Sequence, residues 1–135
     1  MILEFIKPIS LPKPNEAIPY EGQVGQIAAF SYITDVGPIS SNLEFGTQRI
    51  MSDKACEEVY PHLHGINRHF FCATDSEFNV CGGAKGAGLV VEHNRREILA
   101  GIVSFGNIWK GCSNRTPPGF IKVSEYVNWI MEKTE

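Results

Sequence analysis

The central part of the chain is built from short runs of apolar and polar residues separated by turn residues. The clearest run is Leu43 to Ile50, where the two kinds of side chain alternate as on a half-buried β-strand. Five further runs have strand character and follow each other at short intervals: Val24–Phe30, His69–Ala73, Leu89–Glu92, Ile98–Ser104 and Gly119–Val123. Many short, closely spaced strands indicate an all-β barrel or sandwich.

Two segments have helical patterns instead. Ser52 is a favourable N-cap residue, and the acidic character of the segment from Asp53 to Tyr60 suits the positive end of a helix. Near the C-terminus, Ser124 is expected to cap a helix that continues to Lys133. Its apolar side chains have the i, i+3, i+4, i+7 spacing of one buried face: Val123, Tyr126, Val127 and Ile130. The patterns therefore predict a β-barrel closed by one amphipathic helix.

Length and charge restrict the classes of partner. A chain of 135 residues is expected to form a single domain, residues 1–135. The formal net charge is -3 with both signs interspersed, so no long basic stretch favours nucleic acid or an anionic membrane. No segment is long and apolar enough to predict a membrane span.

The cysteines predict an oxidising environment. Cys56, Cys72, Cys81 and Cys112 form an even set without a C-x-x-C motif, which favours disulfides over a zinc or redox site and leaves three pairings open. The segment from Met1 to Pro8 lacks the uninterrupted apolar run of a signal peptide. We give the cysteines more weight and expect a secreted protein.

Four segments, in order along the chain, match motifs of one known family. Ile6–Pro12 is similar to a segment that crosses between two barrels, and Cys81–Leu89 lines up with a nucleophile loop of pattern C-x-G-D-S-G-G-P-L. Gly101–Gly106, with sequence GIVSFG, is similar to G-I-V-S-W-G, and Pro118–Ile130 is similar to a last strand and C-terminal helix. Together these segments resemble the C-terminal half of the chymotrypsin/trypsin family of serine proteases.

The resemblance implies a fold and a disulfide pattern. It implies an all-β, six-stranded antiparallel Greek-key barrel with a C-terminal α-helix, with the family's N-terminal barrel absent. It also implies the disulfides Cys56–Cys72 and Cys81–Cys112. A third bridge common in this half would join the positions of Ile27 and Val91, where two apolar side chains stand instead.

The nucleophile loop differs from the family pattern at its central positions. The resemblance places Lys85 where the catalytic serine stands and Ala84 where the preceding acid stands, within the segment Gly83, Ala84, Lys85 and Gly86. An ammonium group is a poor nucleophile near neutral pH, and the family's histidine and aspartate belong to the N-terminal barrel. These differences predict that the chain is not an enzyme.

The resemblance also implies a binding pocket. Asn79 and Val80 would lie at its base, with walls formed by Ser104, Phe105, Gly106 and Gly119. No acid stands at the base, so a preference for Lys or Arg is not expected. An open and a collapsed pocket remain alternatives.

Few other residues indicate a site. His62 and His64 would share one face of an extended strand, a weak candidate for zinc because no third or fourth ligand is evident. Asn114 begins a glycosylation pattern, although Pro117 follows it closely. We expect no metal and no cofactor.

The sequence thus favours a non-catalytic serine-protease homologue that binds a protein or an extended peptide through the edge around Phe105. The wall left free by the missing barrel would also allow a homodimer. One alternative is that the chain is half of a longer two-barrel pseudoprotease. Another is an enzyme with new chemistry at Lys85 or a metal site at His62 and His64.

Overall fold

The barrel that the sequence predicts is present in the computed structural model, which describes residues 4–14, 16–30, 39–63, 67–75, 84–106 and 116–134. The strands within these residues are β1 (Val24–Ala29), β2 (Glu44–Ile50), β3 (Phe70–Thr74), β4 (Gly88–His93), β5 (Arg96–Phe105) and β6 (Gly119–Lys122). They form a closed barrel in the order β1-β2-β3-β6-β5-β4, and every neighbouring pair is antiparallel. The predicted fold class is confirmed.

Apolar side chains from all six strands fill the barrel. Phe71 and Phe120 are stacked, with ring centroids 5.5 Å apart, and both are almost fully buried. Ile27 and Val91, the two residues that the resemblance aligns with a third disulfide, are 2% and 1% exposed and belong to the same core cluster. Two packed aliphatic side chains therefore occupy the position of that bridge.

Strand β2 keeps the predicted alternation, but the apolar side chains near its start point outward, whereas Ile50 at its end points inward. Gln48 and Ile50 are buried in the barrel at 1% and 2% exposure. Leu43, just before the strand, and Phe45 within it are 54% and 78% exposed. Successive side chains of a strand alternate between its two faces, so this phase leaves an apolar strip on the outside of the barrel.

The two helices are shorter than the sequence patterns predict. Helix α1 spans Asp53–Val59, and the Ser52 hydroxyl accepts a hydrogen bond of 3.1 Å from the Ala55 N–H, which confirms the predicted cap. The C-terminal segment begins with a 3₁₀ turn at Val123–Glu125, and helix α2 then spans Val127–Lys133. Ser124 lies inside that turn, so the prediction that it caps the last helix is wrong. No helix among the described residues has the length and apolar character needed to cross a membrane.

One of the two expected disulfides is present. Cys56 of α1 is bonded to Cys72 of β3, with the Cα atoms 5.4 Å apart. The bridge ties the segment between these two cysteines to the barrel wall. Cys81 and Cys112 lie outside the described residues, so the second pairing stays a prediction.

Candidate functional site

A tight turn positions the residue that the resemblance aligns with the catalytic serine. The Ala87 N–H donates to the Ala84 carbonyl at 3.0 Å, so residues 84–87 form a β-turn with Lys85 at its second position. Gly86, the third residue, has φ +91°, a conformation that glycine adopts without the steric cost of a side chain. Lys85 is exposed at the tip of this turn. A Schiff-base lysine needs a desolvated pocket, and the exposed ammonium of Lys85 does not meet that requirement.

The residue before Lys85 belongs to the barrel core. Ala84 is 2% exposed and packs with the core cluster that contains Phe71 and Leu89. An ionised carboxylate at such a position would need a partner charge or hydrogen-bond donors, because burial of an unpaired charge is costly. The alanine thus lets this end of the loop join the apolar core.

The end of β5 extends past its neighbour on one side. The pairing of β4 with β5 ends at Gly88 and Ile102, whereas the pairing of β5 with β6 continues to Phe105. Next to the end of β4, the Val103 N–H donates to the Ala87 carbonyl and the Val103 carbonyl accepts from the Gly86 N–H, both at 2.9 Å. Within the part of the chain that the structure describes, no strand pairs with β5 beyond this point on that side.

A β-bulge reshapes this strand end. Val103 pairs with Phe120 and Phe105 pairs with Gly119, so Ser104 is an extra residue without an opposite partner in the ladder. Bulges bend a strand, increase its local twist and re-aim its side chains, and they are frequent beside binding and active sites. The residues Ser104 to Gly106 therefore leave the barrel at an altered angle.

The ring of Phe105 lies within an aromatic cluster. It makes edge-to-face contacts with Tyr60 and Phe70, each at a centroid distance of 5.1 Å. The ring also lies directly against the backbone of Gly119, where an added Cβ would come within 2.2 Å of the Phe105 Cζ. Two of the predicted pocket-wall residues, Phe105 and Gly119, are therefore in direct contact.

Tyr60 connects this cluster to the neighbouring backbone. Its hydroxyl donates a short hydrogen bond to the Pro117 carbonyl. A Cβ added to Gly106, which has φ +136°, would lie 2.8 Å from that hydroxyl oxygen. Burial raises the pKa of Tyr60, so the neutral hydroxyl that makes this bond persists at higher pH. The segments around residues 60, 106 and 117 thus form one packed unit.

Sequence reasoning missed Tyr60 and Phe70 as members of the site. Both residues are far from Phe105 in sequence, and the disulfide between Cys56 and Cys72 brings them to the barrel end. Their only sequence signal is position, since Tyr60 follows the predicted helix and Phe70 precedes the second cysteine of the bridge.

Several predicted site residues lie outside the described part of the chain: Asn79, Val80, Cys81, Gly83, His64, Cys112 and Asn114. His62 is exposed, and its ring lies at a centroid distance of 6.3 Å from Tyr60. Among the described residues, no group of three or more His, Cys, Asp or Glu side chains is arranged to hold a metal ion.

A second feature is a groove of about 320 Å³ on the outer face of the barrel. Its lining is largely apolar and comes from four strands and the N-terminal segment: Ile9, Gln26, Ile27, Ala28, Phe45, Gly88, Val90 and Glu97. The outward-pointing Phe45 of β2 contributes to this groove. It therefore continues the apolar strip described above.

Comparison with known proteins decides the family. The family model described as Trypsin matches residues 2–130 of this chain. The chain belongs to the trypsin family. Hepatocyte growth factor activator serine protease from Homo sapiens, a trypsin-family relative, is 32% identical over 136 residues, covering 96% of this chain and 20% of that protein. Urokinase-type plasminogen activator from Gallus gallus is 29% identical over 130 residues, covering 93% and 29% respectively.

Solved structures of the trypsin family have the same fold. Neuropsin, a serine protease expressed in the limbic system of mouse brain, superposes with a TM-score of 0.78 at 26% identity, over 96% of this chain and 55% of that chain. The structure named GrC also has a TM-score of 0.78, at 23% identity, over 98% of this chain and 55% of its own. The chain thus spans at most 29% of the two sequence relatives and 55% of the two structures.

The prediction that the chain is not an enzyme is contradicted by these comparisons, since the trypsin family is a protease family and relatives are named serine proteases. The prediction depended on one substituted loop and on residues expected outside this chain. The match to the trypsin family, in contrast, extends from residue 2 to residue 130.

Proposed function

We propose that this chain is the C-terminal barrel of a two-barrel member of the trypsin family and that it binds an extended polypeptide along the end of β5. The observation that carries the proposal is the free edge at Ser104 and Phe105, because the β4 side of β5 is bonded only as far as Val103, through Gly86 and Ala87, while β5 continues to Phe105. An unpaired strand edge offers backbone N–H and C=O groups to an extended chain.

The packing around Phe105 supports this use of the edge. The ring is held by Tyr60 and Phe70, and the Tyr60 hydroxyl holds the neighbouring segment at Pro117. A rigid edge loses little conformational entropy when a peptide binds, which favours affinity. The partner predicted from the sequence, a protein or extended peptide, is therefore retained as the proposed ligand.

The outer groove supports the two-barrel part of the proposal. The chain covers 55% of each of two structural relatives, so roughly half of a relative's chain has no counterpart here. Phe45 and Leu43 expose 78% and 54% of their surface beside this groove. A contiguous exposed apolar surface marks an interaction site, and we assign this one to the second barrel of the same protein.

The disulfide supports an extracellular location. Cys56–Cys72 is a bond that persists in secreted and extracellular proteins and is rare in reducing compartments. A protease substrate outside the cell is consistent with that environment.

The peptide-binding part is tested with a matched pair of peptides. We would titrate ¹⁵N-labelled protein with an extended hexapeptide and with two isomers, N-methylated at the odd or at the even positions. If the peptide pairs with β5, one isomer loses two hydrogen bonds and about 1–3 kcal/mol, which lowers its affinity by roughly 5- to 150-fold. The other isomer should bind like the unmodified peptide, with shift changes at Ser104 and Phe105. Equal affinities of the two isomers, or shifts confined to other strands, would refute strand pairing.

The two-barrel part is tested on material from the natural source. Its intact mass should be about twice that of this chain or more, and peptide hydrolysis should be measured on the same material. A natural mass equal to that of this chain, with concentration-dependent dimerisation abolished by Phe45→Ser, would instead favour a second copy on the outer groove. Phe45→Ser should leave the barrel's free energy of unfolding unchanged in this chain, because the side chain is exposed.

A further inference from the structure

The segment before the first strand is attached along the outside of β5. The Leu99 N–H of β5 donates to the Ser10 carbonyl at 2.9 Å, and Ser10 forms a parallel bridge with Ile98. Pro12 is almost fully buried. We call residues 10–14 together with Glu16 the arm. The Leu99 amide reports directly on the arm, because its hydrogen-bond acceptor belongs to it.

Glu16 ends the arm with an ion pair to β5. Its Oε1 atom accepts from the Arg96 Nη2 at 2.9 Å and from the Lys13 backbone N–H at 2.9 Å. A second hydrogen bond between Glu16 and Lys13, from the Glu16 N–H to the Lys13 carbonyl at 3.0 Å, closes a turn between these two residues. The side chains of Glu16 and Arg96 are 15% and 31% exposed, so water competes only partly for this contact.

His93 lies between two groups of opposite hydrogen-bonding character. Its Nε2 atom is 3.3 Å from the Asn94 Nδ2, which can only donate, and 3.7 Å from the Glu16 Oε2, which accepts. A neutral ring with an unprotonated Nε2 accepts from Asn94. A protonated ring loses that acceptor and can donate a charge-assisted bond to Glu16 instead.

We propose that His93, Glu16 and Arg96 form a pH-sensitive clasp that holds the arm on β5, and that protonation of His93 tightens it. The charged groups around the imidazole act in opposite directions. Glu16 on the arm favours the protonated ring, and Arg96 on the neighbouring strand opposes it. Lys13 and Arg95 are exposed, so water screens their charges.

Glu16 is suited to remain ionised near neutral pH. The Lys13 N–H has the largest effect and holds the pKa of Glu16 below its ordinary value; burial, the next in size, raises it, and the charges of Arg96 and His93 lower it further. Histidine is the side chain that changes charge between about pH 5 and 8. A carboxylate with a lowered pKa stays ionised over that range, so Glu16 remains available as an acceptor for the imidazole.

The clasp is expected to affect a group of exposed apolar side chains near the arm. Phe5 and Ile6 precede the arm and are 90% and 62% exposed, and Ile9 next to it lines the outer groove. A firmer arm fixes the position of these apolar side chains. The proposal rests on the described contacts alone and does not depend on the proposed peptide binding.

Hydrogen exchange of the Leu99 amide tests the clasp. We would measure its protection factor by NMR from pH 8 to pH 5.5, with the intrinsic exchange rate divided out. The wild-type protection factor should rise about 3- to 10-fold as the pH falls, since His93 gains a charge-assisted bond to Glu16. His93→Gln, which cannot gain a proton, should remove that rise. Glu16→Gln should both lower the protection and remove the rise.

Glu97→Gln is the matched control, because Glu97 is an exposed carboxylate on the same strand with no part in the clasp. Glu97→Gln should show the same rise in the Leu99 protection factor with falling pH as the wild type. A pH-independent protection factor in the wild type, or a full rise in His93→Gln, would overturn the proposal. If Glu16→Gln proves unfolded by circular dichroism, the comparison of wild type with His93→Gln alone decides the question.

Discussion

Gly119 is the residue of the candidate site at which a substitution should have the clearest effect on the free energy of unfolding. An added Cβ would lie 2.2, 2.4 and 2.5 Å from three ring atoms of Phe105, so the ring must move by more than about 1 Å. The backbone cannot move instead, because Gly119 pairs with Cys72 of β3 on one side and with Phe105 on the other. We therefore expect Gly119→Ala to lower the free energy of unfolding by about 1–3 kcal/mol, the usual cost of overpacking.

A double-mutant cycle identifies Phe105 as the cause. Phe105→Ala should cost about 2–4 kcal/mol, since it removes a half-buried ring and its edge contacts. The double variant should be no less stable than Phe105→Ala alone, so the cycle has a coupling of about 1–3 kcal/mol. Gly101→Ala is the control, because its added Cβ meets Phe71 Cζ at 2.5 Å rather than Phe105. Urea unfolding with the Cys56–Cys72 disulfide intact measures each value, and additive effects of Gly119→Ala and Phe105→Ala would refute the argument.

Two further predictions concern charge. Ala84→Asp should lower the free energy of unfolding by about 2–4 kcal/mol at pH 7 and by less at pH 4, because burial raises the folded-state pKa of the new carboxyl and its protonation removes the charge; equal losses in urea unfolding at both pH values would contradict this. Burial raises the pKa of Tyr60 in the folded state above its unfolded-state value of about 10. Its contribution to the free energy of unfolding is therefore complete below the unfolded-state pKa and is lost as the pH rises through the folded-state pKa. Tyr60→Phe should therefore cost about 1 kcal/mol at pH 7, through the lost bond to Pro117, and should reduce the loss of stability between pH 9 and 11; an unchanged alkaline slope would show that this tyrosine is not responsible.

The sequence motifs predicted the architecture well because they are local. The GIVSFG segment forms part of β5, the Ser52 cap begins α1, and Cys56 is bonded to Cys72 as expected. Each of these features depends on residues near one another in sequence or on a family pattern with fixed spacing. Their physical causes, capping and strand alternation, act within a few residues.

The contacts that join distant segments could not be predicted in the same way. Glu16 and Arg96 are separated by 80 positions, and no motif links them. The Phe105 cluster likewise requires the barrel to be closed before Tyr60 and Phe70 come together. The prediction that the chain is not an enzyme failed for a different reason. It gave a single local substitution, Lys85, more weight than the whole chain's similarity to the family.

Strand β2 shows where periodicity stops being informative. Alternation gives the period of a strand but not which face is inside, because a shift by one residue exchanges the faces. The barrel interior takes Gln48, whose amide donates to the Thr47 carbonyl at 3.0 Å, and leaves Phe45 outside. Because Phe45 is 78% exposed, burial of its ring within this barrel contributes little to the free energy of folding. The two-barrel proposal explains why Phe45 points outward. In the complete protein the outer face of β2 would be buried against the second barrel.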